Sequence, residues 1–320
     1  MIRKILVALV VLVLVVVAGV SIYVASRQNL KFDRPYPEVT ASTDSAVIAR
    51  GHYVVRTLAN CAQCHGDTAR RADLAEGMDI PLSGGNRWDI PPGTFFARNI
   101  TSDKETGIGS FPDGAVARAL RYGVGHDGRA LLPFMEMQGL SDEDLVAVVS
   151  YLRTQQPVHN LVPMHQYSFL GKIIRATLLA NPVGPKTTPL RQTPNGATVE
   201  NGRYLVESVA NCGACHTQRD EKTGAYVGPA LGGSKGFETG EGYSWSPPNI
   251  TSDPSGKTGQ MTEDEFVARF RAGRLLPHSP MPWQGFKILA EDDIRAIYRY
   301  IKTLPPVHRD VGPPIVPLTK

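Results

Sequence analysis

The chain opens on an unbroken apolar run. Arg3 and Lys4 precede Ile5 to Ala25, a stretch with no charged residue, and Arg27 closes it. At 1.5 Å rise per residue, a helix of that length crosses a hydrocarbon core of about 30 Å. A cleaved signal peptide is the rival reading, but its apolar region is usually about 7–15 residues and ends at a small-x-small site. Here the run is longer, and the best site, Tyr23-Val24-Ala25, begins with a large ring. The pattern predicts an uncleaved N-terminal membrane anchor over residues 1–27. With Arg3 and Lys4 inside, everything after Arg27 is expected on the outer face of the inner membrane, the periplasm of a bacterium. No second stretch of spanning length follows.

Beyond the anchor the apolar positions keep a helical period. Leu145, Val148, Val149 and Leu152 recur at i, i+3, i+4 and i+7 and predict a helix over Asp142–Arg153, with Ser141 as N-cap. Ile294, Ile297, Tyr298 and Ile301 repeat the pattern over Glu291–Lys302. Further helices are predicted over Val47–Leu58 and Thr198–Val209, and over Gly114–Tyr122 and Glu263–Arg271. Little alternates like a strand, and the Gly/Pro-rich segments Ser83–Thr94 and Gly228–Pro248 read as loops. The expected fold class is all-α.

These elements come in pairs because the sequence reads twice. Ala59-Asn60-Cys61-Ala62-Gln63-Cys64-His65 returns 151 residues later as Ala210-Asn211-Cys212-Gly213-Ala214-Cys215-His216. Asn99-Ile100-Thr101-Ser102-Asp103 returns intact as Asn249-Ile250-Thr251-Ser252-Asp253. Tyr151-Leu152-Arg153-Thr154 returns as Tyr300-Ile301-Lys302-Thr303. Matched landmarks in one order mean a duplicated domain. The organisation expected is an anchor (1–27), a first domain (42–158), a linker (159–195), a second domain (196–308) and a Pro-rich extended tail (309–320). The linker carries an amphipathic stretch, Leu170–Leu179, with Lys172 and Arg175. It reads as a helix packed between the two domains, with contact to lipid as the other reading.

Composition adds two constraints. The 320 residues include 31 Gly and 25 Pro and are only 20% charged, which excludes a coiled coil or a charged disordered chain. The net charge is +4 without a dense basic run, so nucleic acid is not an expected partner. Small domains with long loops need some other apolar body at their centre.

The cysteines supply it. All four lie in two Cys-x-x-Cys-His units, the pattern of c-type haem attachment. The two thiols add to the haem vinyl groups, and the adjacent imidazole is held where it can bind iron. A zinc site would place its two Cys pairs about 15–20 residues apart. A disulfide framework would not use only local pairs, and a thioredoxin-like pair does not need the His. Two covalent haem c groups are therefore expected, on Cys61, Cys64 and His65 and on Cys212, Cys215 and His216.

A Met thioether as sixth ligand raises the potential. Met281, stiffened in Pro280-Met281-Pro282, is the expected ligand of the second domain. In the first domain Leu131-Leu132-Pro133-Phe134-Met135 is read as the mirror of Leu275-Leu276-Pro277 to Met281, which selects Met135, with Met137 as the alternative. His126 and His278 would instead give bis-His iron. Met78 and Met164 are expected as core filler. Trp88, Trp245 and Trp283 are expected against haem or core, and Asn99 and Asn249 as turn formers. Arg98, Arg118, Arg121 and Arg269 are read mainly as solvated.

Both Cys-x-x-Cys-His motifs, both Asn-Ile-Thr-Ser-Asp segments, Pro-Met-Pro before the last helix, and Leu-Ser-Asp-Glu-Asp-Leu at 140–145 followed by Tyr151-Leu152-Arg153 carry a resemblance. The chain resembles the membrane-anchored cytochrome c subunits of bacterial alcohol, gluconate and related dehydrogenases. That resemblance implies two tandem class I cytochrome c-type domains. It also implies electron transfer from a periplasmic dehydrogenase subunit or quinol toward quinone, another cytochrome or a terminal oxidase. No nucleophile–base array or phosphate loop suggests substrate chemistry. A dihaem peroxidase is the alternative, with Glu136 as its only candidate acid–base group, and a redox or gas sensor would need an output domain.

Overall fold

The computed structural model describes residues 1–320 except 178–180, 221–223, 239–241 and 319–320. Helix α1 spans Ile2–Arg27 and its apolar surface is exposed over nearly its whole length. Two helical units with the same element order follow. In the first, α2 (Ser45–His52) is capped by Asp44 and continues as a π-helical segment over Tyr53–Leu58. It is followed by α3 (Asp113–Tyr122) and α4 (Asp142–Thr154), whose cap Ser141 accepts the Asp144 N–H at 3.0 Å. Between the units lies α5 (Phe169–Ala176). The second unit repeats the order with α6 (Val199–Tyr204) and its π-helical continuation Leu205–Val209, then α7 (Glu263–Arg271) and α8 (Glu291–Thr303).

Within each unit the first and last helices cross at a glycine. A Cβ on Gly51 would fall 1.9 Å from the Ala147 carbonyl oxygen, and one on Gly202 would fall 1.9 Å from that of Ala296. Only glycine lets these backbones touch. Val54, Leu58, Leu145 and Val149 of one unit and Leu205, Val209, Ile294 and Ile301 of the other form one continuous buried cluster.

The two units meet face to face through reciprocal contacts. The Tyr53 hydroxyl donates to Asp293 at 2.7 Å and accepts the Ala290 N–H at 2.9 Å. Its repeat partner, the Tyr204 hydroxyl, donates to Asp144 at 2.6 Å and accepts the Ser141 N–H at 3.1 Å. Each unit thus reads the N-terminus of the other's last helix with the same tyrosine, an approximate twofold relation.

The all-α expectation is corrected by two small antiparallel sheets. β1 (Arg87–Ile90) pairs with β2 (Gly93–Phe96), Arg87 opposite Phe96, and β3 (Gln166–Tyr167) adds to β2. In the second unit β4 (Phe237–Glu238) pairs with β5 (Tyr243–Trp245), and β6 (Ile315–Pro317) of the extended tail adds to β5. The segments read as loops are therefore hairpins whose third strand comes from distant sequence. Gly93, at φ 146°, makes the first one possible, because a Cβ there would lie 2.1 Å from the Gln166 carbonyl oxygen. Helix α5 is also placed differently from expectation. It does not pack between the units but against the end of α1 and the β1–β2 hairpin, where the Ser168 N–H donates to Pro92 at 3.0 Å. Leu178 and Leu179, the end of the expected amphipathic stretch, lie outside the described residues.

Candidate functional site

Both Cys-x-x-Cys-His motifs leave the π-helical segments through one device. Asn60 and Asn211 each sit at φ 48°, in the left-handed region that Asn tolerates better than most residues. The N–H groups of Cys61 and Cys212 then donate back to Val55 at 2.9 Å and Val206 at 3.0 Å. A single helical turn follows in each copy, Ala62–His65 and Gly213–His216. Spacing of i and i+3 sets both thiols on one side of that turn. All four cysteines are free. Burial, reinforced by the neighbouring cysteine, pushes the Cys61 and Cys212 thiols up to about 12. These are neutral thiols, the reverse of the thiolate-stabilising environment of a redox Cys-x-x-Cys pair.

The imidazoles are oriented by backbone. His65 Nδ1 lies 2.8 Å from the Arg98 carbonyl oxygen, and His216 Nδ1 lies 2.8 Å from that of Pro248. Burial holds both rings below the ordinary histidine range, outweighing the hydrogen bond to the carbonyl. The neutral tautomer that donates from Nδ1 leaves the Nε2 lone pair for a metal. Arg98 is fixed in turn, its guanidinium donating to Pro163 at 2.8 Å.

In the second unit these groups line a cavity of about 460 Å³. Cys212, Cys215 and His216 share it with Met281, Met261, Trp245, Phe270 and Trp283. Arg269 also lines it, with its guanidinium 3.8 Å from the Trp283 ring centre. Leu58, Ala59 and Asn60, the residues just before the first motif, close part of the same cavity. In the reciprocal contact, Asn211 Nδ2 donates to the Glu136 carbonyl oxygen at 2.7 Å.

Comparison with known proteins agrees with this duplication. The family model for cytochrome c matches residues 48–156 and again 199–305. The chain belongs to the cytochrome c family. Among its relatives is the fructose dehydrogenase cytochrome subunit of Gluconobacter japonicus, 30% identical over 291 residues, covering 85% of this chain and 55% of that protein. The alcohol dehydrogenase (quinone) cytochrome c subunit of Gluconacetobacter polyoxogenes is 29% identical over 293 residues, covering 85% of this chain and 59% of that protein. A dihaem c-type cytochrome of Cereibacter sphaeroides is 28% identical over 214 residues, covering 63% of this chain and 69% of that one. The chain spans little more than half the length of the two dehydrogenase subunits.

Membership of the cytochrome c family implies covalently bound haem c, and the residues present fit it. The cavity is lined mainly by aromatic and aliphatic groups, with two neutral thiols, one oriented imidazole and the thioethers of Met261 and Met281 as its donors. His278 stacks on Tyr243 with ring centres 4.5 Å apart, and His126 stacks on Phe111 at 4.1 Å. Trp245 and Trp283 line the cavity as expected. Trp88 does not join a core, being 37% exposed, and Met78 and Met164 are exposed rather than buried filler. Arg118 and Arg121 are buried, not solvated, donating to Gly125 at 2.6 Å and to Gln138 at 2.9 Å. Asn99 and Asn249 form the expected turns, accepting the N–H of Thr101 at 3.0 Å and of Thr251 at 2.9 Å. Nothing in the local pattern marked the tyrosine pair of this cytochrome, Tyr53 and Tyr204, as a contact between units.

The expected mirror between Met135 and Met281 is corrected. Trp283 N–H donates to Met281 at 2.7 Å across Pro282, and Phe134 N–H donates to Leu132 at 2.8 Å across Pro133. Further along, Leu289 N–H donates to Phe286 and Leu140 N–H donates to Met137, both at 3.2 Å. Leu132 therefore holds the place of Met281, and Met137 holds that of Phe286. Leu132 has no donor atom, and the next thioethers along the loop are those of Met135 and Met137. Met137 packs against the core cluster, as a residue in the place of Phe286 should. Met135 is half-buried, outside that cluster, with its carbonyl accepting from Gln138 at 3.1 Å.

Proposed function

We propose that the chain is a membrane-anchored dihaem electron relay. Cys61 and Cys64 would hold one haem, with His65 on its proximal face, and Cys212 and Cys215 the other, with His216. We assign Met281 as the sixth ligand of the second iron and Met135 as that of the first. Bound haem supplies a one-electron couple, and the chain supplies everything that decides how it is used. The backbone acceptors at Arg98 and Pro248 fix each imidazole, and the aromatic lining keeps water from the second site. The two domains take the boundaries 42–158 and 196–308.

One observation carries the relay reading above all: Leu58, Ala59 and Asn60, contiguous with the first attachment turn, line the cavity of the second. The two sites are thus in direct contact through a three-residue segment, and the Asn211–Glu136 bond repeats that contact from the other side. Haems held at both turns would therefore be neighbours, able to exchange an electron across this segment. The donor proposed is a periplasmic dehydrogenase subunit or quinol, and the acceptor is quinone, another cytochrome or a terminal oxidase. The names of the relatives support this reading. Helix α1, long and apolar enough to span a bilayer, would anchor the chain in the inner membrane with its bulk in the periplasm.

The peroxidase alternative loses its acid–base candidate. Glu136 is paired with Arg219 and accepts the Tyr226 hydroxyl at 2.9 Å, a role in joining the units. A pyridine haemochrome assay tests the assignment. The chain should yield two haems, and Cys61→Ala with Cys64→Ala, or Cys212→Ala with Cys215→Ala, should each yield one. A single haem in the unaltered chain would refute it.

A further inference from the structure

Helix α1 does not stand clear of the folded body. A 26-residue helix is about 39 Å long, more than the roughly 30 Å of a hydrocarbon core. Counted from Lys4, the core ends about twenty residues later, at the level of Val24. Val24 is also the buried residue of α1, only 5% exposed. Helix α5 packs there, and Arg27 Nε donates to the Ala176 carbonyl oxygen at 3.3 Å. The depth of α5 is thereby set at the edge of the hydrocarbon.

The sequence of α5 suits that depth. Ser168 caps it, accepting the Gly171 N–H at 3.1 Å. Phe169, Leu170, Ile173 and Ile174 are set against Lys172 and Arg175, the amphipathic pattern of a helix lying in an interface. Gly171 presses on the hairpin, where a Cβ would fall 1.9 Å from the Pro92 carbonyl oxygen. Yet Phe169 and Leu170 remain 64% and 48% exposed. Two large apolar side chains left in water beside a membrane helix, with cations one turn away, match the two layers of a lipid surface.

We propose that α5 is an interfacial helix seated in the headgroup layer of the membrane that carries α1. Phe169 and Leu170 insert toward the acyl chains and Lys172 meets lipid phosphates, while Arg175, its guanidinium over the Tyr167 ring at 4.6 Å, adds positive charge beside them. The occupant of this face is an anionic bilayer surface. The proposal rests on the anchor reading above and extends it. A single tether would leave the relay free to swing, whereas a second contact fixes which side of the first unit faces the membrane.

The test places p-benzoylphenylalanine at position 13, 169 or 227 of the full chain, reconstituted in nanodiscs of phosphatidylcholine and phosphatidylglycerol. Val13 lies within α1, and Val227 is an exposed control in the second unit, 63% accessible. Irradiation should give lipid adducts at 13 and 169 and none at 227. Lys172→Glu with Arg175→Glu should lower the adduct at 169 several-fold and leave that at 13 unchanged. An adduct at 13 without one at 169, or cross-linking of 169 to protein, would overturn the proposal alone. Absence of an adduct at 13 would overturn the anchor reading itself, and the proposal with it.

Discussion

As the proposed sixth ligand, Met281 is the residue on which the properties of the second haem would turn. Its thioether lines the cavity. Met281→Ala should abolish the sulfur-to-iron charge-transfer absorption of that haem. It should lower the potential by on the order of 100 mV, a part of the roughly 0.8 V range that axial ligands command. Spectroelectrochemistry reads both effects. In the first unit, where Met135 is the proposed ligand, Met135→Ala should have the same consequence and Met137→Ala should not. The repeated aspartates act on stability instead. The Thr106 backbone holds the Asp103 carboxyl below its usual range, and Ser255, first through its hydroxyl, does so for Asp253. A depressed native pKa contributes stability that is complete above the unfolded value of about 3.9 and lost as pH falls through the native one. Asp253→Asn should therefore lower the Tm at pH 7 and flatten its fall below pH 4, as differential scanning calorimetry would show.

At the scale of elements, the helix crossings are the most sensitive joints. Gly51→Ala or Gly202→Ala would set a methyl group into a carbonyl oxygen 1.9 Å away, with backbone rather than a flexible side chain in its path. Each should cost at least about 2–3 kcal/mol by overpacking, measurable by denaturant unfolding. The helices were legible in the sequence because their apolar periods are local, and Ser141 announced its cap three residues ahead of the amide it accepts. The attachment turns were legible for the same reason. The hairpins were not, because Pro91 and Pro92 read as chain breaks and the strand that completes the sheet, β3, comes from the linker. The Met register was not either. The distal loops of the two copies differ in length, and a local match of Leu-Leu-Pro concealed that Leu132 stands in the place of Met281.

At the scale of the whole molecule, the two units act as one body because each tyrosine reaches into the other's last helix. Burial and Asp144 push the Tyr204 hydroxyl well above its ordinary range, so it remains a donor to a carboxylate that is itself fully buried. Tyr204→Phe would leave Asp144 with one donor fewer and the Ser141 amide without its acceptor. A cost of about 1–3 kcal/mol follows. It should appear in unfolding as a loss of coupling between the units, with transitions that no longer coincide. The same junction brings the two attachment sites together, and nothing about it could be read from either repeat alone. The most direct test is an optical redox titration of the intact holoprotein. It should resolve two one-electron couples of equal amplitude, with the oxidised protein showing sulfur-to-iron charge-transfer absorption for both. A single couple, or absorption for only one centre, would contradict a relay built from two closed haems.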